Sequence, residues 1–228
     1  MLSILRNNKL PEGYVLHSDF QKAGRGQRGS KWASKPGQNL LFSIFLKPIF
    51  LDLRRQHLLT FAPAIAVFET LGRIAGDYTQ IKIKWPNDVI INNKKVSGIL
   101  TECSIQQGLL QSAIVGIGCN INQLDFGNLQ ATSLAAETGQ SYSRFEILEE
   151  ILLSLEKEYL HLKAGKEDRL LTNYQAAMWR RGELSWFKDA SGNSFKGTIV
   201  GVTRQGKLAV QIRNELQTFN FKEIKYLP

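Results

Sequence analysis

The chain is predicted to adopt an α+β fold, a mixed sheet with packed helices followed by a small C-terminal β-barrel. Three observations carry that reading. Short β-branched or apolar runs bounded by Gly, Pro and Asn recur through the first three quarters of the sequence, long segments among them place apolar residues at helical spacing, and beyond Gly182 only strand-like runs remain. The strands follow one another without a helix between each pair, which points to hairpins rather than a regular βαβ series.

Taken in order, Tyr14–Ser18 and Leu40–Leu46 are the first strands. From Arg54 to about Gly76, Leu58, Ala62, Ile65, Leu71 and Ile74 recur near helical spacing, with Pro63 acceptable only in an early turn. Ile81–Trp85, Val89–Asn92, Val96–Cys103 and Ser112–Gly118 read as strands, and Asn92-Asn93 suits a tight turn because Asn tolerates positive φ. Ser143-Arg144-Phe145-Glu146 is a capping box, and Phe145, Leu148, Leu152, Leu155, Tyr159 and Leu162 form a stripe that Gly165 stops. A second helix is expected from about Glu167 to Trp179. Past a boundary near Arg181–Glu183, strands Leu184–Phe187, Phe195–Val202, Lys207–Ile212, Gln217–Phe221 and Ile224–Leu227 are separated by short turn signals, the spacing of a small barrel.

Of 228 residues, 43% are hydrophobic and 21% charged, a globular balance that excludes disordered and collagen-like chains. Apolar runs such as Leu40–Leu46 fall far short of the ~20 residues that span a bilayer, and Met1–Lys9 lacks the apolar core of a secretory signal. The expectation is a cytoplasmic protein with no membrane partner. Cys103 and Cys119, in neither CxxC nor Cys/His spacing, read as small core residues rather than a disulfide or zinc ligands. Basic residues number 29 against 20 acidic, a net charge of +9 that favours an anionic partner: nucleic acid, nucleotide or acidic protein surface.

The densest chemical signal is Gln21-Lys22-Ala23-Gly24-Arg25-Gly26-Gln27-Arg28-Gly29-Ser30-Lys31-Trp32. Its glycines let the backbone approach a ligand closely and aim N–H groups at an anion, while Arg25 and Arg28 add fixed charge. It is neither a Walker A loop nor a dinucleotide fingerprint, and by itself it reads equally as a basic surface loop. In Lys84-Trp85-Pro86-Asn87-Asp88, Pro86 ends one strand and Asn87-Asp88 open the turn into the next. Lys95-Val96-Ser97-Gly98-Ile99-Leu100-Thr101-Glu102 follows, and each lysine here reads alone as solvated surface. Ile114–Ile117 leads through Gly118-Cys119 to Asn120 and Asn122, amides that either read a nitrogen heterocycle or cap a turn.

In that order, Gly-Arg-Gly-Gln-x-Gly-x-x-Trp, Lys-Trp-Pro-Asn-Asp, Lys-x-x-Gly-Ile-Leu-x-Glu and Gly-Ile-Gly-x-Asn-x-Asn resemble the motifs of biotin protein ligases, which biotinylate carboxylase carrier domains. The resemblance runs from about Lys9 to the C-terminus and includes Ala131-Thr132-Ser133-Leu134. It implies a fold like that of class II synthetases and biotin or lipoate ligases, with a biotin- and ATP-binding catalytic domain over 1–181 and an SH3-like barrel over 182–228. The implied reaction is a two-step ligation: biotin's carboxylate attacks the α-phosphate of ATP to give biotinyl-5′-adenylate, and a carrier lysine then takes the acyl group. Both steps gather negative charge, which aimed cations and backbone donors stabilise.

The resemblance also implies roles. Gln21 and the Arg25-Gly26-Gln27 backbone are similar to biotin contacts, with Gly24 shaping the loop and Gly98 beside the ligand. Lys95 matches the catalytic lysine that holds carboxylate and α-phosphate together, supported by Arg25 and Arg28. Asp88 resembles the carboxylate that organises the metal-nucleotide and the lysine. Trp32, Asn87 and Asn120 fall to ATP and the adenylate, Trp32 by stacking and Asn120 by hydrogen bonding. Mg2+ is implied because ATP's phosphates need a hard divalent ion, held mainly by ATP with Asp88 as a candidate ligand.

Two departures stand out. Some members carry arginine where this chain has Gln27. Members also have a strand and a Ser-Thr-Asn segment ahead of the helix leading into the Leu-Pro-Glu-Gly turn, so part of the biotin pocket is expected to lie upstream of Met1. With no winged helix ahead of the motifs, the expected partners are biotin, ATP and a biotin carboxyl carrier domain, without DNA; a homodimer is left open. Two alternatives stand beside this reading. One is a lipoate or octanoate ligase or transferase of the same fold. The other is a basic nucleic-acid-binding protein reading through the barrel, which needs Lys/Arg interleaved with exposed aromatics there.

Overall fold

The structure is a computed structural model that describes residues 10–26, 31–76 and 79–227. It is an α+β protein built on two antiparallel sheets. The larger is six-stranded, in the order β1 (Val15–Ser18), β4 (Leu40–Leu46), β8 (Leu109–Cys119), β7 (Lys94–Gln106), β6 (Asp88–Ile91), β5 (Ile81–Lys84). Between β1 and β4 the short strands β2 (Gly24–Arg25) and β3 (Lys31–Trp32) pair as a separate hairpin.

One face of the large sheet is covered by helices. α1 (Leu58–Ala75) packs beneath β5 to β8, and α2 (Leu134–Thr138), α3 (Arg144–Lys163) and α4 (Glu167–Ala176) pack on α1 in turn. Burial of α1 explains its composition: Leu58, Leu59, Phe61, Ala62, Ile65, Ala66, Val67 and Leu71 are all sequestered, so the helix is apolar around most of its circumference. Leu53–Ala75 is long and apolar enough to cross a membrane, yet 67% of that window is buried inside this fold. Pro63 cannot donate to the carbonyl of Leu59, and the Thr101 hydroxyl of β7 donates to that oxygen instead, at 3.3 Å.

The sequence places most elements correctly and misjudges several ends. The β7–β8 hairpin runs eight residues beyond the expected strands, from Ser104 to Gln111, and turns at Gln107 and Gly108, both at positive φ. The second long helix ends at Ala176 rather than Trp179, because the backbone of β5 takes over: Ile83 N–H donates to Ala177 and Trp179 N–H donates to Ile83. On α3, Phe145 is exposed and Leu152 only partly buried, while Ile147 and Ile151 join Leu148, Leu155, Tyr159 and Leu162 in the core. The predicted stripe was rotated by part of a turn.

The last five strands, β9 (Leu184–Asp189), β10 (Ser194–Val202), β11 (Leu208–Ile212), β12 (Glu215–Phe219) and β13 (Ile224–Tyr226), form a second sheet in the order β12-β11-β10-β9-β13. Where a barrel was expected, β12 and β13 stand as its two edges and no ladder joins them among the described residues. Phe187, Phe195 and Phe219 stack in series inside it. This sheet is fastened to the first at one corner: Trp85 Nε1 donates to Gly206 O at 3.0 Å, and the His57 ring lies against Gly206 so closely that a Cβ there would stand 2.4 Å from it.

His57 gives this corner a pH dependence. Burial, helped by the charge of Arg55, holds its pKa at about 4, and its Nε2 is buried without a partner. Below the ordinary histidine pKa of about 6.5 the unfolded chain binds a proton that the folded chain refuses, so stability should fall from roughly pH 6.5 to pH 4 and level off below. The loss amounts to ~3 kcal/mol at most. Denaturant melts of the parent and His57→Leu across that range should show a flatter acid limb in the variant; parallel limbs would remove His57 from the account.

Candidate functional site

The face of β7 and β8 turned away from α1 floors a cleft of about 910 Å3. Alternation along the strands produces it. Ile99 and Ile117, paired across the ladder, point into the helix-covered core, while Gly98 and Gly118, also paired, face the cleft with no side chains. The β2–β3 hairpin, the β5–β6 turn and residues Phe221 to Tyr226 of the second sheet supply the walls.

The turn between β5 and β6 brings the charged groups together. Lys84 and Asp88 are register partners, and Asp88 in turn pairs with Gly98. A β-bulge then matters: Val89 pairs with Ser97 but Ile90 pairs with Lys95, so Val96 is the extra residue and Lys95 is turned onto the cleft face. There its ammonium meets Asp88 Oδ1 at 2.6 Å and lies 5.7 Å from the centroid of the Trp32 ring. Asn87, expected beside the nucleotide, lines the cleft but donates its Nδ2 to Ile99 O at 2.7 Å while its backbone carbonyl accepts from Ile99 N–H. Its amide holds the turn.

Trp32 lies flat on the glycine floor. A Cβ at Gly118 would stand 2.6 Å from its ring and one at Gly98 3.3 Å, and its Nε1 is buried without a partner. Gly24 pairs with Trp32, and a Cβ there would meet the Trp32 carbonyl at 2.6 Å, so the hairpin closes only on glycine. Gln21, Lys22, Arg25 and Gly26 line the same cleft; Gln27 and Arg28 lie outside the described residues. Asn120 is not among the cleft-lining residues. It is buried, its Nδ2 donates to Thr132 O at 2.9 Å and its Oδ1 has no partner. It fixes the segment that leads into α2, where Ser133 caps the helix through Ala136 N–H.

Five basic side chains line the cleft, Lys22, Arg25, Lys84, Lys95 and Lys225, against two carboxylates, Asp88 and Glu102. Since Asp88 is spent on Lys95, the lining keeps an excess of positive charge beside a flat aromatic wall, an arrangement that suits an anion. The sequence reading gave no role to Lys84, Lys225 or Tyr226. Lys84 could have been found from hairpin register, which puts it on the face of Asp88; the other two come from a distant strand that no local pattern links to the site. Among the described residues no cluster of three metal-ligating side chains occurs. For the nucleic-acid alternative, the second sheet offers one exposed aromatic among its described residues, Trp186, beneath Lys196.

Residues 3–120 match the Biotin/lipoate A/B protein ligase family. A bifunctional ligase/repressor BirA from Bacillus subtilis (strain 168) is 40% identical over 160 residues, 68% of this chain and 48% of that protein. A biotin–[acetyl-CoA-carboxylase] ligase from Mycobacterium tuberculosis is 26% identical over 203 residues, covering 88% of this chain and 74% of that one. Among solved structures, a biotin protein ligase from Aquifex aeolicus in complex with biotin and ATP superimposes with a TM-score of 0.81 at 27% identity, over 99% of this chain and 94% of the other. This chain spans about half the length of the Bacillus BirA proteins it matches.

The glycine floor makes a paired prediction. At Gly116 a Cβ would find nothing nearer than 3.6 Å, whereas at Gly118 it would collide with Trp32. Gly116→Ala should therefore be within about 0.5 kcal/mol of the parent, and Gly118→Ala should cost ~1–3 kcal/mol as an overpacked site or expel Trp32. Denaturation midpoints and tryptophan emission read both outcomes. Equal stability and equal emission in the two variants would contradict the stacking of Trp32 on the floor.

Proposed function

The chain belongs to the Biotin/lipoate A/B protein ligase family, and from that premise we propose that it is an ATP-dependent biotin protein ligase, forming biotinyl-5′-adenylate and passing biotin to a lysine of a carboxylase carrier domain. The observation that carries the reading is the Lys95–Asp88 pair on a side-chain-free floor, between a glycine hairpin and an aromatic ring. The likeness to an enzyme holding biotin and ATP, over nearly the whole chain, supports it.

In the first step a biotin carboxylate oxygen attacks the α-phosphorus and pyrophosphate leaves. Lys95 has the charge and the place to hold both anions together, and Asp88 keeps its ammonium aimed across the cleft. Gln21, Gly24, Arg25, Gly26 and, from the family resemblance, Gln27 and Arg28 are assigned to biotin and the adenylate phosphate, with Gly98 leaving room beside them. Trp32 supplies the stacking face for adenine, and the unpartnered Asn120 Oδ1 is the acceptor assigned to its amino group. Mg2+ would arrive on ATP's phosphates and neutralise part of their charge, with Asp88 as the candidate protein ligand. In the second step the carrier lysine attacks the acyl carbon and AMP leaves.

The basic excess is assigned to ATP and an acidic carrier surface rather than to DNA. Two free thiols, Cys103 and Cys119, support a reducing, cytoplasmic setting. Residues 1–181 are assigned to catalysis and 182–228 to an SH3-like accessory unit that closes one end of the cleft.

ATP–pyrophosphate exchange measured separately with biotin, lipoate and octanoate tests activity and substrate together. Exchange with biotin alone is expected; exchange only with lipoate or octanoate would make the chain a ligase of the sister type. Lys95→Ala should lower biotin-dependent exchange by ~10²-fold or more without unfolding, and near-normal exchange in that variant would take Lys95 out of the reaction.

A further inference from the structure

Lys95 owes its place to backbone contacts that lie outside the cleft. β8 ends at Cys119, the partner of Ser97, so it no longer flanks β7 at Lys95. The segment that leads into α2 takes its place there. Lys95 N–H donates to Gln130 O at 3.1 Å, Thr132 N–H donates to Lys95 O at 2.9 Å, and Lys95 pairs in parallel with Ala131. The ammonium stands at the end of a flexible four-carbon stem, and Asp88 holds only that end. Residues 130–132 decide where the stem begins.

One carboxylate ties that segment down. The Glu137 side chain of α2 is only 11% exposed, and its two oxygens serve two different pieces of chain. Oε1 accepts from the Thr132 hydroxyl at 2.5 Å, and Oε2 accepts from Asn92 Nδ2, in the β6–β7 turn, at 2.6 Å. Lys94 Nζ, 3.7 Å from Oε1, adds an ion pair from the residue next to Lys95. The carboxylate thus bridges the chain that carries the lysine and the chain that grips it, and a hydrogen bond to an ionised acceptor is the stronger kind. Support is needed at that turn, since Asn92 and Asn93 both have positive φ. The Asn92 amide is committed at its other atom too, accepting from Gln80 N–H at 3.2 Å. The same tie reaches Asn120, whose Nδ2 donates to the Thr132 carbonyl while its Oδ1 stays unpaired. Glu137, Thr132, Asn92 and Lys94 are not among the cleft-lining residues, so the carboxylate acts through Lys95 and not on a ligand.

We infer that Glu137 is a positioning residue for the ligation, clamping residues 130–132 to the β6–β7 turn so that Lys95 projects onto the cleft face opposite Asp88. The effect on rate rests on the ligase reading above; the geometry does not. Placement at this scale matters to chemistry, because a shift of ~1 Å caused by a change far from the reacting atoms can cost about a hundredfold in rate. Removing the carboxylate takes from Thr132 and Asn92 the acceptor they share and frees residues 130–132 to draw away from Lys95. An amide at 137 preserves the clamp: its oxygen accepts from Asn92, and its NH2 donates to the Thr132 hydroxyl, which accepts as well as donates.

The test compares the parent with Glu137→Ala, Glu137→Gln and Thr132→Val, with thermal melts to confirm folding. Amide hydrogen exchange is followed at Lys95 and, as a distant control, at Phe45, whose N–H donates to Tyr14 O. Biotin-dependent ATP–pyrophosphate exchange is measured on the same proteins, and on Lys95→Ala with and without Glu137→Ala. Glu137→Ala should speed hydrogen exchange at Lys95 about tenfold or more, the scale of one charge-assisted hydrogen bond, and leave Phe45 unchanged. It should cut pyrophosphate exchange about ten- to a hundredfold, in kcat rather than in KM for biotin. Glu137→Gln should keep most of both properties, and Thr132→Val, which removes one arm of the clamp and carries the comparison if Glu137→Ala does not fold, should fall between. In the Lys95→Ala background Glu137→Ala should cost little more, since the group it positions is gone. An unchanged Lys95 amide in Glu137→Ala, a loss in Glu137→Gln as deep as in Glu137→Ala, or the same further loss with and without Lys95 would each overturn the inference. Hydrogen exchange needs no substrate, so a parent that exchanges no pyrophosphate with biotin sinks the ligase reading and leaves the positioning of Lys95 to stand or fall by its amide.

Discussion

The pairing of β7 with β8 has to satisfy opposite demands on its two faces, and the rest of the molecule is arranged around that constraint. On one face Ile99 and Ile117 must be apolar, because α1 buries them completely. On the other, Gly98 and Gly118 must carry nothing, because the Trp32 ring lies against both and the Lys95 side chain against Gly98. Period-two alternation lets one strand pair meet both demands. Glycine weakens a strand interior, and the loss is offset by burial on the helix side, where α1 is apolar around most of its circumference. The helices lie on one face of the sheet and the cleft on the other.

Within that frame a single extra residue sets the chemistry. Without the bulge at Val96, strict alternation would send Lys95 toward the helices with Ser97 and Ile99, and a lysine there would be a buried unpaired charge. With it, Lys95 faces Asp88. The carboxylate is held by the β5–β6 turn, and that turn is braced from three directions: Asn87 by Ile99, the Pro86 carbonyl by the Tyr174 hydroxyl at 2.9 Å, and Trp85 by Gly206 of the second sheet. Tyr174 is itself stacked on Phe61 at 3.8 Å. The position of the Asp88 carboxylate thus depends on α1, α4 and the C-terminal sheet together, which gives the distant corner at His57 a reason to be so tightly packed.

What the sequence made legible follows from which forces are local. Periodicity and capping belong to neighbouring residues, so α1, the Ser143 cap and nearly every strand core could be located from Leu, Ile and Val spacing. Ends were harder. The β7–β8 extension from Ser104 to Gln111 is polar and alternates weakly, and α4 stops at Ala176 because a distant strand, through Ile83, captures the next residues. The motif residues Gln21, Gly24, Arg25, Gly26, Trp32, Asp88, Lys95 and Gly98 do converge on one cleft. Asn87 and Asn120 were harder to read, since an amide at a strand end looks the same whether it binds a ligand or ties a turn; here each spends its donor on a backbone carbonyl, and Asn120 keeps its acceptor unpaired. Lys84 was read as solvated surface because its aromatic partners, Trp179 and Tyr226, lie far along the chain.

Among the described residues, two of the buried polar atoms without partners belong to residues that line the cleft. These are Trp32 Nε1 and Tyr226 Oη, while Ser34 Oγ, His57 Nε2, Thr70 Oγ1, Asn120 Oδ1 and Glu158 Oε2 are on residues outside the lining. Each is a cost that folding alone gives no reason to accept. Asn120 shows the pattern most clearly, since the same amide spends its donor on Thr132 and keeps its acceptor idle. Had the fold alone set the sequence, an apolar residue at 226 or a shifted carbonyl at 120 would have removed the penalty. A donor and an acceptor left unspent beside one aromatic floor are groups that a molecule with phosphate oxygens and a nitrogen heterocycle would satisfy, in line with the proposed ligase reading.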